Sequence, residues 1–102
     1  MWEEPFETIW ERIGAHEGEP FATTRGRPFT YRMAGDALHP APGGRPTKFL
    51  VPRVQVAEAW RVLGEQERAR TGPAALRRRV PELRGAAYVW AILNDPRIRG
   101  TG

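Results

Sequence analysis

The spacing of apolar side chains changes twice along this 102-residue chain, and that change restricts the fold more than any single residue does. Trp2, Phe6, Ile9, Trp10 and Ile13 fall at i, i+4, i+7, i+8 and i+11, the stripe of an amphipathic helix. Phe29, Tyr31 and Met33 then alternate with Thr30, Arg32 and Ala34, the two-residue period of a strand. From Arg53 the helical spacing returns in Val56, Ala59, Trp60 and Leu63. A period that runs helix, strand, helix describes an α+β domain, and about 100 residues make one such domain, here 1–102.

Gly and Pro divide the chain further. Pro5 suits the first turn of a helix over 3–15, which Gly14 or Gly18 ends. Phe21 and Thr23 suggest an early strand, and Arg25-Gly26-Arg27 a tight hairpin turn. Ala34-Gly35-Asp36 starts a second turn. His39–Pro46 holds three Pro and two Gly and reads as an exposed loop. Thr47–Pro52 reads as a third strand, with Phe49 and Val51 inward and Lys48 and Leu50 outward. Beyond the helix that begins at Arg53, which either stops at Gly64 or runs to Arg70, Gly72-Pro73 caps a short helix over Ala74–Val80. Gly85–Asn94 is a last helix, apolar on nearly every face and therefore buried in the core or an interface; Pro96 ends it. The expected order is α-β-β-β-α-α-α: an acidic helix 3–15, a basic region 18–52 with a three-stranded antiparallel sheet, and a helical region 53–95 that covers it.

Several chemistries are excluded at once. There is no Cys, so no disulfide, thiol or zinc-finger chemistry, and no Ser to act as nucleophile. Neither His16 nor His39 has a partner at metal-ligand spacing, and the Glu3/Glu7/Glu11 row reads as a solvated helix face. Asp36 and His39 are close enough to share a turn, where two solvated side chains are the simpler account. No catalytic centre, metal or cofactor is expected. The acidic start Met-Trp-Glu-Glu is no secretory leader, and the longest apolar run, Ala86–Leu93, is too short for a bilayer, so a cytoplasmic protein without membrane contact is expected.

Charge gives the functional lead. Fifteen Arg stand against one Lys, a ratio that GC-rich coding alone can produce. Position is more telling. Residues 1–20 hold six Glu against Arg12, a net of −5, while the rest carries +9. The windows Arg25–Arg53 and Arg68–Arg84 each contain six basic residues and one acid. Such asymmetry suits an anionic partner, or pairing of the two regions within or between chains. With Phe29, Tyr31 and Met33 inward, the outer sheet face and its rim present Thr30, Arg32, Lys48, Arg25, Arg27, Arg45 and Arg53. Arg77, Arg78 and Arg79 form a second basic run. The candidate nucleic-acid-binding set is therefore Arg25, Arg27, Arg32, Lys48, Arg53, Arg77, Arg78 and Arg79, contacting DNA or RNA phosphates with little sequence preference. The plain alternative for each is a solvated charged face.

The α-β-β-β-α order over 3–70 resembles that of double-stranded-RNA-binding domains in topology, although Arg53-Val54-Gln55-Val56 stands where those domains carry a Lys-rich helix start. Residues 73–93 resemble a helix-turn-helix, but Ala86–Leu93 offers no polar face for base edges, and only Arg84 and the helix start could touch DNA. A competing expectation is a non-catalytic interaction module, such as a homodimer, since four Trp and many Arg favour interfaces. A third is a metal-dependent nuclease using Asp36 and Lys48, weakened by Pro46 where an acid would be needed.

Overall fold

A computed structural model describes residues 4–65 and 72–100. The first helix, α1, covers Phe6–Ala15. Its start is later than the expected 3–15. Pro5 is the N-cap, with extended backbone (φ −60°, ψ 144°), and its carbonyl receives the Thr8 and Ile9 amides at 3.1 and 3.4 Å. Glu4 thus lies ahead of the helix, where its carboxylate grips the Arg12 guanidinium at 2.7 and 3.0 Å. Ile9 and Ile13 are fully buried, and Phe6 and Trp10 pack half-buried beside them.

Four strands follow: β1 (Phe21–Ala22), β2 (Pro28–Met33), β3 (Ala37–Pro42) and β4 (Val51–Pro52). They form one antiparallel sheet in sequence order. The α+β class holds, but the three-strand order does not. Half of the expected Pro-rich loop is β3, and the expected third strand shrinks to Val51–Pro52. The register explains why prolines are tolerated there. Ala34 N–H to Ala37 O (2.9 Å) and Gly43 N–H to Pro28 O (3.4 Å) bracket the β2–β3 ladder. By the antiparallel alternation, Thr30–Ala41 and Arg32–His39 are then the hydrogen-bonded pairs. Pro40 and Pro42 face Tyr31 and Phe29 at the non-bonded positions. Their missing N–H groups point to the other edge, where β4 pairs only Ala37 and Leu38. Beyond that pairing, the Pro40 carbonyl takes the Thr47 amide at 2.9 Å. Residues 47–50 are not a strand because local bonds replace the ladder: the Thr47 hydroxyl donates to Phe49 O (2.9 Å) and His39 Nε2 donates to Thr47 O (2.7 Å).

The inner sheet face carries Phe21, Phe29, Tyr31, Leu38 and Val51, all buried. Phe21 touches the rings of Phe29 and Tyr31, with centroids 6.0 and 5.3 Å away. The Tyr31 hydroxyl reaches across to the last turn of α1 and donates to Ile13 O at 2.7 Å, closing a carbonyl that the helix end leaves open. Burial pushes the Tyr31 phenol well above its ordinary pKa, so it stays a donor. Tyr31→Phe keeps the ring but orphans that buried acceptor. It should cost about 1–3 kcal/mol in urea unfolding, with an unchanged m-value.

Four further helices complete the described residues: α2 (Arg53–Glu65), α3 (Pro73–Arg79), α4 (Ala86–Asn94) and α5 (Pro96–Arg99). Gly72 is the N-cap of α3 and Pro73 its first residue, as the sequence indicates. The continuation of α2 toward Arg70 lies outside the described residues. Val56, Ala59, Trp60, Val62 and Leu63 of α2 meet Val89, Ile92 and Leu93 of α4 in the core, and Trp60 Nε1 donates to Glu4 O at 3.2 Å. Pro96 does end α4, but it also opens α5, whose Ile98 is buried. Asp95 caps that last helix by accepting the Arg97 amide at 2.9 Å. The observed order is therefore α-β-β-β-β-α-α-α-α, so the α-β-β-β-α order of double-stranded-RNA-binding domains is not reproduced.

The Asp95 carboxylate is also hydrogen-bonded by the Arg97 guanidinium at 2.9 Å, which holds its pKa below the usual Asp value. A folded-state pKa below the unfolded one stabilises above the unfolded value and fades as pH falls through the folded one. Asp95→Ala should cost about 1 kcal/mol at neutral pH, and thermal melts of wild type and variant should converge as pH drops below about 4.

Candidate nucleic-acid interface

Sorting the basic residues by what they touch separates structural arginines from available ones. Arg12 is held by Glu4 and by Ile98 O at 2.9 Å. Arg61 lies between Glu58 and Glu65 on α2. Arg97 binds Asp95, Glu19 (3.2 Å) and Pro20 O (2.9 Å), and its guanidinium sits 3.8 Å from the Phe21 ring centroid. The Glu19–Arg97 pair joins the acidic start to the basic remainder within one chain. The Glu19 carboxylate is held below its usual pKa by His16, 3.0 Å away, and by Arg97. Among the described residues, Arg25, Arg27, Arg32, Arg45, Lys48, Arg53, Arg77, Arg78 and Arg84 make no such pair.

The fold gathers five of these, Arg25, Arg27, Arg77, Arg78 and Arg84. The hairpin between β1 and β2 turns at Gly26 (φ +79°), a conformation that suits Gly. Thr23 closes it from both sides: its amide donates to Arg27 O (3.0 Å), its carbonyl takes the Gly26 amide (2.8 Å), and its hydroxyl takes the Arg27 amide (3.2 Å). Arg25 and Arg27 stand exposed on this closed turn. On α3, Leu76 and Val80 point into the core, which leaves Arg77, Arg78 and Arg79 exposed. The turn after α3 buries Leu83 and exposes Arg84 before Gly85 enters α4.

A cavity of about 1220 Å³ lies along α3 and this turn, lined by Phe49, Arg77, Arg78, Arg84 and the first residues of α4. A second, of about 470 Å³, is lined by Thr23, Arg25, Arg27, Pro42 and Tyr88. Pro73, Ala74 and Ala87 belong to both walls, so the two form one groove from the hairpin to the α3–α4 turn. Glu82 is the one acid among the described residues that line it. The start of α4 borders the groove, and Gly85, its N-cap, supplies no side-chain acceptor, so the first amides of α4 add positive potential.

The remaining candidates from the sequence lie elsewhere. Arg79 pairs with Glu65 at 3.0 Å, turning away from its two neighbours toward α2. Arg53 lies over the Phe6 and Trp10 rings, 5.9 and 5.8 Å from their centroids, and lines a separate cavity with Glu7, Asp36 and Val54. Arg32 alternates to the outer sheet face, opposite His39, and Lys48 is exposed in the loop before β4. Arg84 belongs to the groove but not to the candidate set. Its sequence signals were its place in the basic window Arg68–Arg84 and at the start of the last helix, where it alone could touch DNA.

For catalysis, Asp36 and His39 do not share a turn. Asp36 is in the β2–β3 turn, its carbonyl taking the Arg53 amide at 2.8 Å, while His39 sits within β3. Among the described residues, no three His, Asp or Glu stand close enough to hold a metal ion. No helix among them is long and apolar enough to cross a membrane. No family model matches the sequence, and no curated protein or solved structure proves similar to it.

Proposed function

We propose that this protein is a non-catalytic nucleic-acid-binding domain that holds phosphates in the α3–hairpin groove. The observation that carries it is the convergence of Arg25, Arg27, Arg77, Arg78 and Arg84, from two separate stretches of sequence, on one groove with no described acid paired to any of them. Coding bias supplies arginines but does not by itself bring five unpaired ones to one groove. An unpaired guanidinium keeps its planar fork for phosphate. Titrating labelled oligonucleotides at several salt concentrations tests the proposal. Five phosphate contacts predict that log affinity falls with log salt at a slope of about −3.5 for single strands or −4.5 for a duplex. No binding at low salt would remove it.

A second reading rests on a separate surface. Val54 is 72 % exposed beside Phe6, Pro52 and Ala57, with Glu7 and Asp36 next to Arg53 in the same cavity lining. An apolar centre with both charge signs at its edge is self-complementary, so a second copy of the chain, turned by a two-fold axis, is the occupant it suits. Sedimentation should then show a dimer that Val54→Lys dissociates. A wild-type monomer at high concentration removes this reading and leaves the first untouched.

A further inference from the structure

We infer that the groove takes a single strand rather than a duplex, with bases against Phe49 and Tyr88 and phosphates on the arginines. The inference rests on the proposed nucleic-acid reading and sharpens it. A duplex offers phosphates and hides its bases, so a site built for it needs cations and hydrogen-bond donors but no apolar floor. This groove has one. Between Arg25 and Arg27 at the hairpin and Arg77, Arg78 and Arg84 at the other end, its lining includes Pro, Ala and two aromatic rings, Tyr88 toward the hairpin and Phe49 toward the α3–α4 turn.

The rings are placed together. A Cβ added at Gly85 would lie 3.0 Å from Phe49 Cε1 and 3.0 Å from Tyr88 Cδ2, so both rings converge on the bare Gly85 backbone. Both are only half-buried, whereas Phe21, Phe29 and Tyr31 are enclosed. Tyr88 is braced from behind by Phe29, centroid to centroid 5.1 Å at 60°, so its orientation is set before anything binds. Half-buried rings between unpaired arginines form the stacking platform and charged track that unpaired nucleotides require, and every base has a π-face to offer. The longest dimension of the molecule, 32 Å, limits the strand to a handful of nucleotides.

The test uses the full chain and four probes at one salt concentration: dT12, U12, a 12-base-pair duplex, and an abasic 12-mer with the same phosphates. The expected result is at least tenfold tighter binding of dT12 or U12 than of the duplex and of the abasic strand, since each stacked base contributes about one to two decades of affinity. Tyr88→Leu and Phe49→Leu, which keep apolar volume, should each weaken dT12 binding about tenfold while leaving the salt slope unchanged. The probe comparison needs no variant, so a folding defect in either one does not blunt it. Equal or tighter binding of the duplex, or equal binding of the abasic strand, overturns the single-strand inference and leaves the phosphate-binding proposal standing. No binding of any probe overturns both.

Discussion

Replacing Arg77, Arg78 and Arg84 together by Ala should weaken oligonucleotide binding about a hundredfold near physiological salt. Exposed charge pairs contribute up to about 1 kcal/mol each, so three lost contacts amount to about 3 kcal/mol, and about 1.4 kcal/mol is a factor of ten. The salt slope should fall by about 2, at roughly 0.7 for each phosphate no longer neutralised on a single strand. Arg79→Ala is the control that separates a groove from a general basic run. Arg79 is next to Arg78 in sequence but is tied to Glu65, outside the groove. Its loss should change affinity by less than about twofold, within the range of an exposed pair. If the triple variant and Arg79→Ala weaken binding equally per charge removed, net charge alone drives association and the groove has no part in it. All four positions are exposed and none is a core contact, so melting temperatures should stay within a few degrees of wild type.

That contrast marks the limit of what the sequence reveals. The helices were legible because Ile9, Ile13, Leu76 and Val80 keep a helical period that no competing signal interrupts. Strand β3 was not. Pro40 and Pro42 argue against a strand by composition, and only the register shows that their missing amides fall where β4 has already stopped. The proposed interface was half legible. Alternation identified exposed arginines on the hairpin and on α3, but exposure and availability differ. Whether Arg79 or Arg53 is occupied depends on Glu65 and on the Phe6 and Trp10 rings, partners brought close by helix packing rather than by sequence distance. The juxtaposition of Arg27 with Arg77 depends on α3 lying beside the hairpin, a tertiary fact with no local signature. Nor does sequence say that Phe49 and Tyr88 share one glycine.

Gly85→Val should be the most destabilising single change at the groove, by about 3 kcal/mol or more, because two costs coincide. The first is backbone. Gly85 caps α4 in the left-handed region (φ 65°, ψ 39°), where an L side chain costs about 1–2 kcal/mol and a β-branched one more. The second is contact. The new Cβ would sit 3.0 Å from both Phe49 and Tyr88, and the rings would have to yield. Gly43 isolates the first cost. Its φ is +62°, and a Cβ there meets nothing within 4 Å, so Gly43→Ala carries conformational strain alone. Gly85→Ala should therefore destabilise more than Gly43→Ala, by about 1 kcal/mol, or roughly 4–8 °C in melting temperature for a domain of this size. A Phe49→Leu background removes one of the two crowding rings. Gly85→Ala should cost less there than in wild type, a less-than-additive coupling read directly from a double-mutant cycle. Equal costs in the two backgrounds would mean that Phe49 does not press on Gly85. The paired platform would then lose one ring, and with it the reason to expect bases at this end of the groove.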